Sequence, residues 1–318
     1  MRPIPNIEDP QIKDDAQTPL ADGDQPPGPA RTVLSVVVGA RSADGSPHAC
    51  LDALSAQVGP GIQVIVVEDG DSASPGPAWA TRVAHPGARL VPELWAEGLH
   101  HATGDLVGLL ASTVVPGPEW VARTLALHGH GEAGVGGAIE PGTGLSLVDW
   151  GVYFCRYAPY LLPIDEESDL EVPGDNASYR TDILARYRHL WDRAFWEPSV
   201  HHAMRADGHR LRMSGDRVVL HAPGAGARAF CRQRFAHGRA HGELRSTGGG
   251  RREMLRAVVT APLVPPLLTV RAARAVFARR RLRARFLAAS PVVLWFYCWW
   301  AAGELSGRLR AARSRPRR

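Results

Sequence analysis

The chain has 318 residues, 45% hydrophobic and 22% charged, a globular balance that excludes a wholly disordered chain, a collagen or a coiled coil. Four widely spaced cysteines (Cys50, Cys155, Cys231, Cys298) with no CxxC pair argue against a disulfide scaffold or a zinc finger. The formal net charge of +5 averages unequal parts: residues 251–318 hold 16 arginines against Glu253 and Glu304, a local +14, so residues 1–250 carry −9.

Residues 1–30 contain the acidic pairs Glu8-Asp9 and Asp14-Asp15 and end in Gln25-Pro-Pro-Gly-Pro29. They have no apolar period and read as a disordered leader; without an apolar h-region they are not a secretory signal. Val33–Val38 is a short β-branched run that reads as a buried strand, ended by Gly39. Ser46 is placed to cap a helix with Pro47 at its first position, running through Leu51, Leu54 and Gln57. After Gly59-Pro60-Gly61, Ile62–Val67 is a second buried strand leading into Glu68-Asp69-Gly70, which completes a βαβ unit. The pattern then predicts a short strand over Ala88–Val91, a helix over Glu93–His101 and a buried strand over Leu106–Leu110. A helix from Pro118-Glu119-Trp120 to His128 and a strand over Gly134–Ile139 follow. Beyond residue 150 the rhythm loosens, with a helix over Pro198–Ala206 and a late strand over Arg217–His221.

The tail differs in kind. Ala257–Val270 and Phe286–Gly303 are uncharged apolar runs, each interrupted by proline and flanked by arginines. The first is short for a membrane-spanning helix and the second is at the lower limit. Positive flanks on every side predict two re-entrant or interfacial segments with arginines on anionic head groups. The alternative is a soluble helical extension packed on the main domain. Long apolar runs between the arginines argue against nucleic acid as partner. Gly248-Gly-Gly250 reads as a linker before the tail.

In a parallel sheet, ligands bind beyond the carboxyl ends of the strands. The predicted exits are Gly39-Ala40-Arg41, Glu68-Asp69-Gly70, Ala111-Ser112-Thr113 and His221. No GxGxxG follows the first strand, which disfavours a dinucleotide site. The pairs His100-His101, His128/His130 and His201-His202 lack metal-ligand spacing and read as loop or solvated helix positions.

Several segments, in order, resemble family 2-like glycosyltransferases of the GT-A fold. They are LSVVVGAR (Leu34–Arg41), VIVVEDGD (Val64–Asp71), ATGDLVGLL (Ala102–Leu110), VVPGPEWV (Val114–Val121), GDNASYR (Gly174–Arg180), FWEPSVHHAMRADGHRL (Phe195–Leu211) and VVLHAPG (Val218–Gly224). The resemblance covers roughly residues 33–245. It implies an α/β fold with a mixed, mainly parallel sheet and flanking helices over residues 31–245, followed by a membrane-associating helical tail over 246–318. It implies a hexosyl-type transferase, inverting, that moves a sugar from a nucleotide-sugar to an envelope lipid or polysaccharide at the cytoplasmic face of a bacterial membrane. Ala40, Arg41, Glu68 and Asp69 would bind the nucleotide. Glu197 would be the base, Asp175 and Asn176 would face the acceptor, and Arg232 and Arg234 of FCRQRF would assist the leaving group.

The departure from the family lies at the fourth strand. Members place an Asp-x-Asp there to hold Mg²⁺ or Mn²⁺ on the diphosphate; this chain has Ala111-Ser112-Thr113. Asp105 lies at the wrong end of that strand, and His221 matches a position that often ligates the metal. Three readings follow: arginines replace the metal, other groups hold it, or the protein is a catalytically silent GT-A module that serves as a membrane-bound binding partner.

Overall fold

A computed structural model describes residues 31–73, 75–166, 170–224, 226–245 and 251–313; the predicted leader and the Gly248-Gly-Gly250 linker lie outside the described residues. The strands are β1 (Leu34–Ala40), β2 (Ile62–Glu68), β3 (Ala80–Ala84), β4 (Leu106–Ala111), β5 (Val114–Pro116), β6 (Gly134–Pro141), β7 (Asn176–Arg180) and β8 (Leu211–His221). They form a sheet in the order β3-β2-β1-β4-β7-β6-β8-β5. The strands β3, β2, β1 and β4 run parallel to one another, β7 is antiparallel to both β4 and β6, and β8 is parallel to β6. This mixed, mainly parallel sheet is the GT-A-like α/β architecture that the sequence resemblance implied.

Every position of β1 is buried, which is why its sequence shows no alternation: helices cover both faces of the sheet. The helices are α1 (His48–Ser55), α2 (Val91–His101), α3 (Trp120–His128), α4 (Leu147–Tyr157), α5 (Thr181–Leu184), α6 (Arg188–Trp191), α7 (Glu197–Ala206), α8 (Ala227–Arg245), α9 (Arg251–Thr260), α10 (Val264–Ala278) and α11 (Arg283–Arg313). On one face Val36, Val38, Val64, Val66 and Leu110 pack with Leu51 and Leu54 of α1, Trp120 of α3 and Tyr153 of α4. On the other, Val37, Ile65, Val67 and Leu109 pack with Leu94 and Trp95 of α2 and with Val200 and Met204 of α7. Each such side chain contributes about 1.5–3 kcal/mol of burial.

The sequence expectations hold for β1, β2, β4, β6, α2, α3 and α7 to within a few residues, whereas β8 begins at Leu211, well before the expected Arg217. The strand expected at Ala88–Val91 is instead β3 at Ala80–Ala84, and residues 88–90 lead into α2. A threonine and two partly buried alanines gave β3 no apolar signature. Ser46 sits one residue further out than expected: Pro47 is the cap, and the Ser46 hydroxyl accepts from His48 N at 3.3 Å. The strands β5 and β7 and helix α4 were not expected. In β8 the register with β6 jumps between Gly137/Ser214 and Ala138/Val218, a bulge that turns Arg217 into the core.

The tail packs on the α/β body. Helix α11 buries Ala289, Val293, Phe296 and Ala301; Phe296 meets Phe230 of α8 with ring centroids 4.6 Å apart, and Phe286 meets Phe154 of α4 at 5.2 Å. Two glycine pairs set the approach of α8 to α11. A Cβ on Gly238 or Gly242 would lie 2.1 or 2.2 Å from the carbonyl oxygens of Trp300 and Glu304, and one on Gly303 or Gly307 would lie 2.1 Å from those of Phe235 and Arg239. The two i,i+4 glycine pairs therefore interlock backbone against backbone. Met254–Ala278 and Arg283–Ala312 are long and apolar enough to cross a membrane by length and composition. They leave Leu255, Val259, Leu263, Leu267, Leu287 and Trp295 more than half exposed, at 55–66%.

Candidate active site

A cavity of about 280 Å³ opens beside the carboxyl end of the sheet, where α2, α4, the loop before β7, the start of α7 and α8 converge. Its walls include Trp95, Arg156, Tyr157, Gly174, Asp175, Glu197, Arg234 and His237. The Trp95 indole is fixed by donating to Leu110 O at 2.8 Å, so one cavity wall is tied to the exit of β4.

Glu197 is the first residue of α7, followed by Pro198, which suits the first helical turn. Gly174 N donates to Glu197 Oε1 at 3.2 Å. A Cβ on Gly174 would lie 2.4 Å from that oxygen and 2.5 Å from the Trp95 ring, so a glycine is required for the carboxylate to sit there. The residue is half-buried, with its carboxyl enclosed between these groups. Burial, reinforced by the negative charge of Asp175, pushes the carboxyl up to about 7 against the hydrogen bonds and Arg156 that favour its ionised form. A carboxyl poised there can take a proton near neutrality.

Asp175 accepts from Arg156 Nη2 at 2.7 and 2.9 Å and from the Tyr157 hydroxyl at 3.0 Å. Burial works against the charge on Arg156, but Asp175 outweighs it and holds the guanidinium above its ordinary range. Arg234 lies with its guanidinium 5.0 Å from the Phe230 ring centre, and its enclosed Nε has no hydrogen-bond partner among the described residues. Burial pulls Arg234 below its ordinary range. Burial, and then the charges of Arg234, Arg156 and Arg41, push His237 well down, so its imidazole is neutral beside three guanidiniums.

The exits of β1 and β2 form a second group. Ala40 is buried at the end of β1. Arg41 pairs with Asp44 at 3.6 Å, while its Nε and Nη1 are enclosed without hydrogen-bond partners among the described residues. Asp69 Oδ1 accepts from Ser42 N at 2.9 Å and Ser42 Oγ at 2.6 Å. Glu68 pairs with Arg82 of β3 at 3.3 Å. Asp44 joins the two groups: burial raises its carboxyl, Arg41 and Arg156 oppose this, and Asp175 and Asp69 add to it.

Of the residues expected in the site, the structure brings Glu197, Asp175 and Arg234 to one cavity and Ala40, Arg41, Glu68 and Asp69 to the adjoining strand exits. It does not bring Asn176 there. The Asn176 side chain is fully buried, accepting from Trp120 Nε1 at 2.8 Å and donating to Ala138 O and Arg217 O. Arg232 is exposed and outside the cavity wall, because two residues along α8 turn it away from Arg234. His221 is buried beside Tyr153 and Tyr157, with ring centroids 5.9 and 5.4 Å away. Burial drives its pKa down to about 3, against a weak opposing contribution from the Thr113 backbone, and no other group among the described residues bonds its ring nitrogens. Of the other histidines, His100, His101, His130 and His202 are exposed as expected, whereas His201 is buried between Tyr179 and Glu171 and His128 bonds Ser178 Oγ at 2.8 Å.

Arg156, Trp95, Gly174, Gln233 and His237 were not anticipated. The signal for Arg156 was present in Ser146-x-x-Asp149, a capping box that starts α4: Asp149 N donates to Ser146 Oγ at 3.2 Å, and Ser146 N to Asp149 Oδ2 at 2.9 Å.

The divalent metal that the sequence resemblance implied does not fit this donor set. Ala111-Ser112-Thr113 ends β4 without a carboxylate, His221 is walled in by tyrosines, and no group of three His, Cys, Asp or Glu side chains converges among the described residues. The cations of the site are guanidiniums.

No family model and no curated protein matches the chain. Among solved structures it is similar to the mannosyltransferase PcManGT of Pyrobaculum calidifontis in complex with GDP-Man and Mn²⁺, at 18% identity over 88% of this chain and 87% of that one, TM-score 0.48. It is also similar to S. aureus TarS 1-349 in complex with UDP, at 14% identity over 87% and 92%, TM-score 0.43. A third is glucosyl-3-phosphoglycerate synthase from Mycobacterium tuberculosis in complex with phosphoglyceric acid, at 15% identity over 60% and 72%, TM-score 0.40. The fold is GT-A-like by its own sheet topology.

Proposed function

We propose that the protein is a membrane-associated glycosyltransferase, moving a sugar from a nucleotide-sugar to an acceptor hydroxyl on an envelope lipid or polysaccharide. The observation that carries this reading is Glu197: an enclosed carboxyl with a pKa of about 7 in a cavity that also holds Arg156 and Arg234. In a single displacement the acceptor oxygen attacks the anomeric carbon and its proton passes to Glu197. The bond from that carbon to the diphosphate breaks, and the electron pair leaves on the diphosphate oxygen. One in-line step inverts the anomeric centre. Arg234, with Arg156 and Arg41 nearby, supplies the positive charge that meets the leaving diphosphate. Asp69 and Arg41 at the strand exits bind the nucleotide, and Asp175 orients the acceptor side together with Arg156.

Membrane association is supported by two apolar C-terminal helices with exposed Leu, Val and Trp side chains and by the arginines that flank them. Positive flanks favour the cytoplasmic face.

The test is calorimetric titration of UDP-, GDP- and dTDP-linked sugars into the wild type and Glu197→Gln, with and without Mn²⁺, followed by turnover. The expected outcome is nucleotide-sugar binding in both proteins and turnover in the wild type only. Absence of nucleotide-sugar binding would reject the proposal. A second reading, a silent GT-A module, is favoured by Ala111-Ser112-Thr113 in place of carboxylates; binding without turnover under any condition would establish it.

A further inference from the structure

A second cavity, of about 250 Å³, adjoins the first and shares Cys155, Arg156, Arg234 and Trp300 with it. Its remaining walls are Phe154, Pro159, Leu268, Arg271, Ala272 and Tyr297, so it lies between α4, α8 and the two apolar helices α10 and α11. Three guanidiniums line it. Arg156 is committed to Asp175, but neither Arg234 nor Arg271 has a carboxylate in ion-pair range among the described residues. The rest of the wall is apolar or aromatic. On the outer side, the same two helices expose Leu267 (66%), Val270 (46%), Trp295 (55%) and Trp299 (37%), immediate or near chain neighbours of the wall residues Leu268, Arg271 and Trp300.

An apolar surface leading to guanidiniums, and from there to a carboxyl base, is a graded environment. It suits an amphiphile whose chains lie on α10 and α11, whose anion meets Arg271, and whose reactive end passes Arg234 to reach Glu197. We propose that this second cavity is the acceptor's anchoring site and that the acceptor is a lipid carrying a phosphate or diphosphate group. The base narrows the class further. A phosphate oxygen is already anionic and needs no proton acceptor to attack. Glu197 at the inner end therefore matches a hydroxyl carried beyond the phosphate, as in a phospholipid-linked saccharide. The inference rests on the transfer reading for the identity of the reaction, but the binding site itself is testable without it.

The full chain titrated with dihexanoyl phosphatidic acid, and followed by tryptophan fluorescence, should bind saturably. Dihexanoylglycerol and inorganic phosphate should each bind at least about tenfold more weakly, since each keeps one half of the recognition. Arg271→Glu should weaken phosphatidic acid by about tenfold or more, whereas Arg274→Glu, exposed on the same helix and outside both cavities, should leave it unchanged. Equal loss in the two variants would mean diffuse attraction to a basic helix and would overturn the site. So would inorganic phosphate binding as tightly as phosphatidic acid, or no phosphatidic acid binding at all. Calorimetry of UDP, GDP and dTDP on the same preparations separates the two claims. Nucleotide binding without phosphatidic acid binding rejects the lipid site alone. Phosphatidic acid binding without nucleotide binding supports the lipid site and rejects the nucleotide-sugar reading.

Discussion

At the scale of single residues, the chemistry depends on how far burial moves two kinds of group. Glu197 is raised to about 7, so it is protonated below that pH and cannot serve as a base. The pH profile of kcat/KM should therefore rise through about 7 and level off above it. Glu197→Gln should lose about 10²-fold or more in turnover with nucleotide-sugar binding retained. Arg234→Gln should also lose about 10²-fold, because the developing diphosphate charge loses a guanidinium; Arg232→Gln, exposed outside the cavity, should stay close to wild type. Steady-state kinetics on the two variants checks the assignment. His128 moves the other way, down to about 4 through burial and then the charge of Arg217. A histidine that is neutral in the fold and protonates more readily when unfolded makes stability fall as pH drops from about 6.5 towards 4. His128→Gln should flatten part of that fall, read as a smaller loss of urea midpoint between pH 7 and pH 5. Raised Glu197 contributes with the opposite sign, so the variant must be compared with the wild type at each pH.

At the scale of elements, the interlock of α8 with α11 fixes where Arg234 and His237 stand. Both lie on α8 beside Gly238, whose missing side chain admits the carbonyl of Trp300. Gly242→Val puts methyl groups against the Glu304 backbone, which cannot rotate away as a side chain would. The expected cost is about 1–3 kcal/mol of overpacking, measured as a lowered urea midpoint, with reduced turnover as α8 shifts. Gly226→Ala, in open space just before α8, should change neither. The bulge in β8 acts similarly on the sheet: it buries Arg217, whose guanidinium bonds Thr124 Oγ1, Ser178 Oγ, Val135 O and Asn176 O and stacks over Trp120.

At the scale of the whole molecule, the basic tail has two different surfaces. One face of α11 is part of the core, so cutting the chain before residue 251 would strip cover from Phe154, Phe230 and the α8 glycines and expose apolar surface. The membrane surface is better tested with the fold intact. Replacing the exposed Leu263, Leu267, Trp295 and Trp299 by serine should reduce flotation with phosphatidylglycerol vesicles while leaving nucleotide-sugar binding unchanged. Retained flotation would place the vesicle contact elsewhere.

The strands β1 and β2 were legible because the short runs Leu34–Val38 and Val64–Val67, apolar but for Ser35 and buried in the fold, admit few other structures. The short strands β5 and β7 were not legible, since their place is set by partners far along the chain: β7 by β4 and β6, β5 by β8. Glu197 and Asp175 could be singled out from local motifs, whereas Asn176 of the same motif turns into the core to hold Trp120. Alternate residues leave a strand on opposite faces, and only the packed sheet decides which face meets the cavity. The sequence by itself determined the α/β order, the base candidate, the lack of carboxylates after β4 and the basic apolar tail, all properties of residue type and local period. Only the tertiary structure decided that Arg156 joins Arg234 at the cavity, that Arg232 does not, and that glycines interlock the tail with the α/β body. Those depend on backbone approach and side-chain direction between segments that the sequence places far apart.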